Sequence, residues 1–313
     1  MLKVSFHLLG LRVLISCMGL FGNVFLIVSV LQKRVKTFEL FLLGLATANL
    51  EEIVIVNIYD VLILQRSSAV SDAWLCRSLK FLTVLGEISS ILFTVLISVY
   101  RYQKLRDASR RVNLPICLDN TYAAWKAIRL CVGVSILLSA PIFVMNLQDQ
   151  KGNIIGNQTG NHTGCAPDFF LCSNDHCPTV NRVYKYAFIL LCYLLPLVVV
   201  TLTSCLIVTV LVSSRATAKP VVASVSASTQ IERRTKDRRL HSSTVAILAA
   251  MALFQVDWTL YLVFQMTFSP TDFPIMAELE FFISTSYTSI SPYVLGIGKN
   301  LFTIKNFWKK SFL

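Results

Sequence analysis

Six of the carboxylates in stretches that are otherwise apolar call for weighing: Glu52, Asp60, Glu87, Asp257, Glu278 and Glu280. An ionisable side chain in such surroundings is costly and is a functional candidate by default. Asn49, Glu52 and Tyr59/Asp60 recur at the 3–4 spacing of one helix face, so Glu52 is expected to point inward. Glu51, one residue back, points about 100° away. Glu87 precedes Arg101 by almost four full turns and shares its face; its bland alternative is an interhelical hydrogen bond to a Ser or Thr. Asp257 sits beside Trp258 and carries the same two readings. Glu278 and Glu280 lie near a segment end, where carboxylates are commonly just solvated. Arg77 and Lys80 are cationic candidates, or snorkel to water. None of these groups completes a catalytic constellation. His7, His162, His176 and His241 all fall at segment ends or in loops, and no Cys/His spacing suits a metal. The expectation is no enzyme, no cofactor and no metal.

The elements that must position these groups follow from composition. The chain has 313 residues, of which 55% are hydrophobic and only 15% charged, with a mean hydropathy of +0.64. A soluble domain carries roughly 25% charged residues, so this chain has too few to coat a water-facing surface. Seven apolar segments are long enough to span a bilayer: about His7–Leu31, Leu40–Leu64, Arg77–Tyr100, Ile128–Leu147, Tyr184–Val212, Ser243–Phe268 and Phe273–Gly298. Backbone polar groups must be satisfied internally in lipid, so all seven are predicted helices. The fold class is all-α, one seven-helix bundle, with no internal repeat of the kind that duplicated transporters carry. The first segment is too long for a cleavable leader and lacks a small-residue cleavage site.

Charge gives the bundle a direction. Of 29 Lys and Arg, 20 lie in the connections after segments 1, 3 and 5 and in the tail. Basic connections stay on the cytoplasmic side, so the N-terminus is predicted outside and the C-terminus inside. The net charge of +12 is thereby explained without nucleic acid. The only two glycosylation sequons, at Asn157 and Asn161, both fall in the long connection from Gln148 to Val183, which the basic residues had placed outside. The inner connection from Ser213 to Ser242 is Ser-rich and carries the basic run Arg233 to Arg239. The tail from Lys299 to Leu313 mixes Lys305, Lys309 and Lys310 with Leu301, Phe302, Phe307 and Trp308, the pattern of an interfacial amphipathic helix. Cys17, Cys131, Cys192 and Cys205 fall inside apolar runs and read as inert core thiols.

Several residues mark the helices more specifically. Gly22-Asn23 in the first segment and Asn49 in the second are suited to pair with one another, since a buried Asn needs a partner on a neighbouring helix. Cys76 and Arg101 bracket the third segment, about 37 Å apart at the helical rise. With Tyr100-Arg101-Tyr102, Pro196 and Ser291-Pro292-Tyr293, these residues resemble the landmarks of the rhodopsin-like receptors over essentially the whole chain. The departures are equally specific. Tyr100 replaces the acid of the usual Asp-Arg-Tyr, and Asn49 the usual sodium-binding Asp. The sixth segment has no proline, the fourth lacks its usual Trp, and Ser-Pro-Tyr replaces Asn-Pro-x-x-Tyr. This set is similar to the vomeronasal type-1 receptors, and among them most similar to the class-A-related olfactory receptors of fish. Bitter taste receptors are comparable in size but typically lack the cysteine that Cys76 supplies.

The resemblance implies a chemosensory receptor in the plasma membrane of sensory neurons. It implies a small odorant or pheromone as ligand, and a heterotrimeric G protein of the inhibitory/other class as partner, beside membrane lipid. Glu87, Asp60, Lys80, Asp257, Tyr261 and Phe281 are the candidate ligand-binding residues, with Tyr59, Phe81, Phe264 and Phe282 as further aromatic lining. Both charge signs are present, so the ligand's charge is left open. Arg101, Lys104, Arg238 and Arg239 are the candidate G-protein contacts. A disulfide from Cys76 to the outer connection is implied; Cys177, nearest the fifth segment, is favoured, Cys172 is a rival, and Cys165 is the third cysteine there. The alternatives in function are a bitter-taste-type receptor and a small-solute transporter or channel. The last would need repeats, broken helices or charged rings.

Overall fold

A computed structural model describes residues 2–32, 35–64, 73–110, 120–143, 179–217, 227–267 and 276–298. These form seven helices and, among the described residues, no strand: α1 (Leu2–Leu31), α2 (Thr37–Leu64), α3 (Ala73–Arg110), α4 (Thr121–Ser139), α5 (179–217), α6 (Ala227–Thr267) and α7 (Met276–Gly298). A 3₁₀ turn, Ala140–Phe143, ends α4, and a π-helical segment, Ile189–Leu194, interrupts α5. Six of the helices, α1 to α6, are long and apolar enough to cross a membrane, and α7 is 23 residues long.

Local sequence explains several ends. Glu39, in the first turn of α2, accepts the Lys36 amide at 2.7 Å, the reach-back of a capping box. Asn120 caps α4 by accepting the Tyr122 amide at 3.1 Å. Three expectations shift. α3 runs ten residues past Tyr100, and α4 starts seven residues before Ile128. α6 begins at Ala227, so much of the basic run expected in a loop over 213–242 is helix instead. A polar helix end projecting beyond the bilayer carries no hydropathy signal, so a hydropathy reading stops at the lipid boundary.

α3 is the central column. It packs on α2, α4, α5 and α6, while α1 closes the ring by lying against both α2 and α7. The surface is inverted relative to a soluble protein: Phe21, Leu130, Leu137, Leu202 and Val212 all face outward, as a hydrocarbon solvent allows. Polar groups turn inward, with Asn23, Asn49, Glu52, Ser90, Thr94, Asp257, Thr288 and Ser291 all buried. Two of the four intra-span thiols depart from the core expectation. Cys17 and Cys205 are exposed on the lipid-facing surface, and only Cys192 is fully buried.

Candidate functional site

Pro292 lies inside α7 and cannot donate to the carbonyl four residues earlier, that of Thr288. In lipid that carbonyl must find another donor. Asn23 of α1 supplies it, donating through Nδ2 to Thr288 O at 2.9 Å. Asn49 of α2 donates to Asn23 Oδ1 at 3.2 Å and to Ser291 Oγ at 3.3 Å. Its own oxygen accepts from Ser90 of α3 at 2.6 Å. Both hydrogens and the carbonyl of Asn49 are thus engaged, and four helices meet at one amide. The Asn23–Asn49 pairing was legible in the sequence; Ser90 and Ser291 were not, since serines in apolar helices mostly bond back to their own turn. One turn along α3 from Ser90, Thr94 shares a 2.7 Å hydrogen bond with Tyr287 of α7.

Toward the Cys76 end lies a second polar layer. Pro196 withholds a donor from α5, and the backbone just before it opens into the π segment, in which the Leu195 amide reaches back to Leu190 O. π segments recur at functional sites. This one turns Tyr193 inward, where its hydroxyl donates to Glu87 Oε1 at 2.9 Å. The Tyr193 ring stacks on Trp258 of α6 at 4.9 Å and packs on Tyr261 at 4.8 Å. Asp257, beside Trp258, accepts from Ser286 of α7 at 2.9 Å. Glu52 of α2 is 2% exposed, and its Oε2 has no hydrogen-bond partner among the described residues. Glu52 and Glu87 lie within Coulomb range of each other, and Lys80 within range of Glu87. Gly86 makes this approach of α2 and α3 possible, since a Cβ there would lie 3.0 Å from the Glu52 amide nitrogen. A small cleft between α5 and α6 is lined by Lys185, Phe188, Ile189, Tyr193, Tyr261 and Gln265.

Arg101 marks the opposite end of α3. It is buried, and with Tyr100 in place of the usual acid it has no adjacent carboxylate. Its guanidinium instead lies 3.9 Å over the Phe38 ring of α2, and Nη2 donates to Ser243 Oγ of α6 at 2.8 Å. Tyr100 stacks on Phe38 at 5.9 Å and meets Phe41 edge-on at 5.6 Å. A cation–π contact and a hydrogen bond from the same guanidinium to an uncharged hydroxyl therefore join α2, α3 and α6.

The other candidate residues are placed as follows. Phe281 is buried beneath the Arg12 guanidinium, 4.0 Å from its ring centre. Arg77 is engaged by the Phe143 carbonyl, to which it donates at 2.6 Å. Lys80 and Lys104 are half-buried. Tyr59 is buried, and Phe81 packs on Phe143 at 5.1 Å. Cys76 is buried and disulfide-bonded. Cys165, Cys172, Cys177, Asn157, Asn161 and the tail lie outside the described residues, as do the side chains of Asp60, Arg238, Arg239, Glu278 and Glu280. The structure brings together Glu87 and Tyr261 from the candidate set through Tyr193, and places Asp257 next to Trp258 with Ser286 as its partner. It adds Glu52 as a neighbour of Glu87, and Tyr193, Ser286, Phe38 and Ser243 as partners with no sequence signal.

Comparison with known proteins agrees with this arrangement. The profile of the family described as 7 transmembrane receptor (rhodopsin family) matches residues 22–294. Among solved structures, squid rhodopsin is similar, with a TM-score of 0.72 at 15% sequence identity, over 98% of this chain and 86% of that one. No curated protein sequence matches the chain.

Proposed function

The chain belongs to the seven-transmembrane receptors of the rhodopsin family, and from that premise we propose that it is a chemosensory receptor of the vomeronasal type-1 kind. As a member of that family it is a multi-pass membrane receptor coupled to a heterotrimeric G protein, and not an enzyme. In the proposed reading, a small odorant or pheromone enters from the extracellular side, toward Cys76. It binds among Glu87, Asp257, Tyr261 and the residues around them. The N-terminus is outside, the tail inside, and Cys177 pairs with Cys76 to hold the long connection over the bundle mouth. Glycans occupy Asn157 and Asn161. Arg101, Lys104, Arg238 and Arg239 meet a G protein of the inhibitory/other class, in the plasma membrane of sensory neurons.

The observation that carries this reading is the state of Arg101. It meets the Ser243 hydroxyl of α6 and the Phe38 ring of α2 in place of a carboxylate, in keeping with the missing acid of the vomeronasal-like pattern. A ligand that favours the arrangement in which α6 leaves Arg101 shifts the population toward it by its differential affinity. The bonded Cys76 disfavours the bitter-taste alternative, whose members typically lack that cysteine. The test is guanine-nucleotide exchange on a G protein by membranes containing the protein, challenged with odorant classes. The reading predicts ligand-dependent exchange that Arg101→Ala abolishes; solute flux without ligand, and no exchange, would overturn it.

A further inference from the structure

The sequence shows both charge signs near the ligand layer, but the structure engages them unequally. Arg77 donates through Nη1 to the Phe143 carbonyl while its Nε has no acceptor among the described residues, and Arg12 covers Phe281. Asp257 has Ser286, and Glu87 has Tyr193 and the nearby Lys80. Glu52 alone among these carboxylates is buried with an oxygen that accepts nothing. A carboxylate so placed is strongly disfavoured until a donor or a positive charge arrives. Beside its neighbour Glu87, which Tyr193 bonds, stand the electron-rich rings of Tyr193, Trp258 and Tyr261, the kind of surface that attracts ammonium groups. The cleft between α5 and α6 shares two of these rings, Tyr193 and Tyr261, and has Lys185 and Gln265 on its lining; the long Lys185 stem can carry its charge away to water. Among the described residues no three acidic, His or Cys side chains converge as a metal-ion site. One positive charge on an organic frame fits this layer better than a divalent ion does.

We propose that Glu52 and Glu87 together bind the positive centre of a protonated amine, Glu52 as its main counter-charge, with the Tyr193–Trp258–Tyr261 rings against its apolar frame. This rests on the ligand-binding reading above and gives it a substrate class: small aliphatic or aromatic amines rather than organic acids. The ammonium supplies the donors that Glu52 lacks. Glu87 contributes its second oxygen while Tyr193 holds the first.

The test uses full-length protein in lipid nanodiscs and reads ligand-induced thermal stabilisation, which needs no G protein. Phenethylamine and isopentylamine are compared with phenylacetate and isovalerate, with and without sodium chloride. The expected result is stabilisation by an amine and not by its matching acid. The midpoint concentration should rise roughly tenfold or more in Glu52→Gln, the loss of one ionic contact. Glu87→Gln gives the same readout should Glu52→Gln fail to fold. Stabilisation by the acids alone, by none of the four compounds, or equally in Glu52→Gln would overturn the proposal. So would a Glu52-dependent effect of sodium that no amine competes with, which would make this an inorganic-cation site. Amine binding without nucleotide exchange would count against the receptor reading alone. Exchange driven only by acids would count against the amine site alone.

Discussion

Asn49 and Arg101 show how a few polar atoms fix this bundle. The amide of Asn49 is saturated by Asn23, Ser291 and Ser90, and no water is available in lipid to replace them. Hydrogen bonds within membranes contribute about 0.6 kcal/mol each on average. Asn49→Leu is therefore expected to lower stability by roughly 2 kcal/mol, read as a fall in melting temperature of the purified protein; an unchanged melting temperature would show the node to be idle. Among the described residues, Arg101 holds α6 through one charge-assisted bond to Ser243. Its loss is worth about 1.5–3 kcal/mol because the donor is charged, so Ser243→Ala is expected to raise ligand-independent nucleotide exchange roughly tenfold or more. A fall in basal exchange would mean that the bond supports the active arrangement instead. Much of this chemistry was visible in residue types, since Asn23, Asn49, Glu52, Glu87 and Arg101 are anomalous in apolar runs. Their partners were not. Phe38, Ser243 and Tyr193 are ordinary helix residues, and only packing singles them out.

At the scale of elements, close approach depends on residues without side chains. A Cβ at Gly86 would meet the Glu52 backbone, and backbone cannot swing aside as a side-chain tip can. Gly133, on α4, has nothing within 4 Å. Gly86→Val is expected to destabilise by about 1–3 kcal/mol through overpacking, and to weaken any response that needs Glu52 and Glu87 together. Gly133→Val should leave melting and surface expression unchanged; equal damage from both would remove the close α2–α3 contact from the account. The seven spans were legible because hydropathy is a long-range average. The π segment of α5 was not, because Pro196 predicts a disturbance but not which carbonyls it reassigns or where Tyr193 then points. Nor were the polar extensions of α3 and α6, whose composition is that of a loop.

At the scale of the whole molecule, direction across the membrane is carried by basic residues and two sequons. If the connection at 148–183 is extracellular, endoglycosidase should shift the mobility of the wild-type protein. The double change Asn157→Gln and Asn161→Gln should remove that shift; a shift that persists, or was never there, would contradict the orientation. The central claim joins both ends of α3, a ligand layer near Glu87 and a coupling end at Arg101. It is tested most directly by nucleotide exchange on a heterotrimeric G protein, in membranes carrying either wild-type protein or Arg101→Ala, across a panel of small odorants. The account predicts exchange that rises with at least one ligand in the wild type and is absent in Arg101→Ala. Equal exchange in both proteins, or ligand-independent solute flux with no exchange, would contradict it.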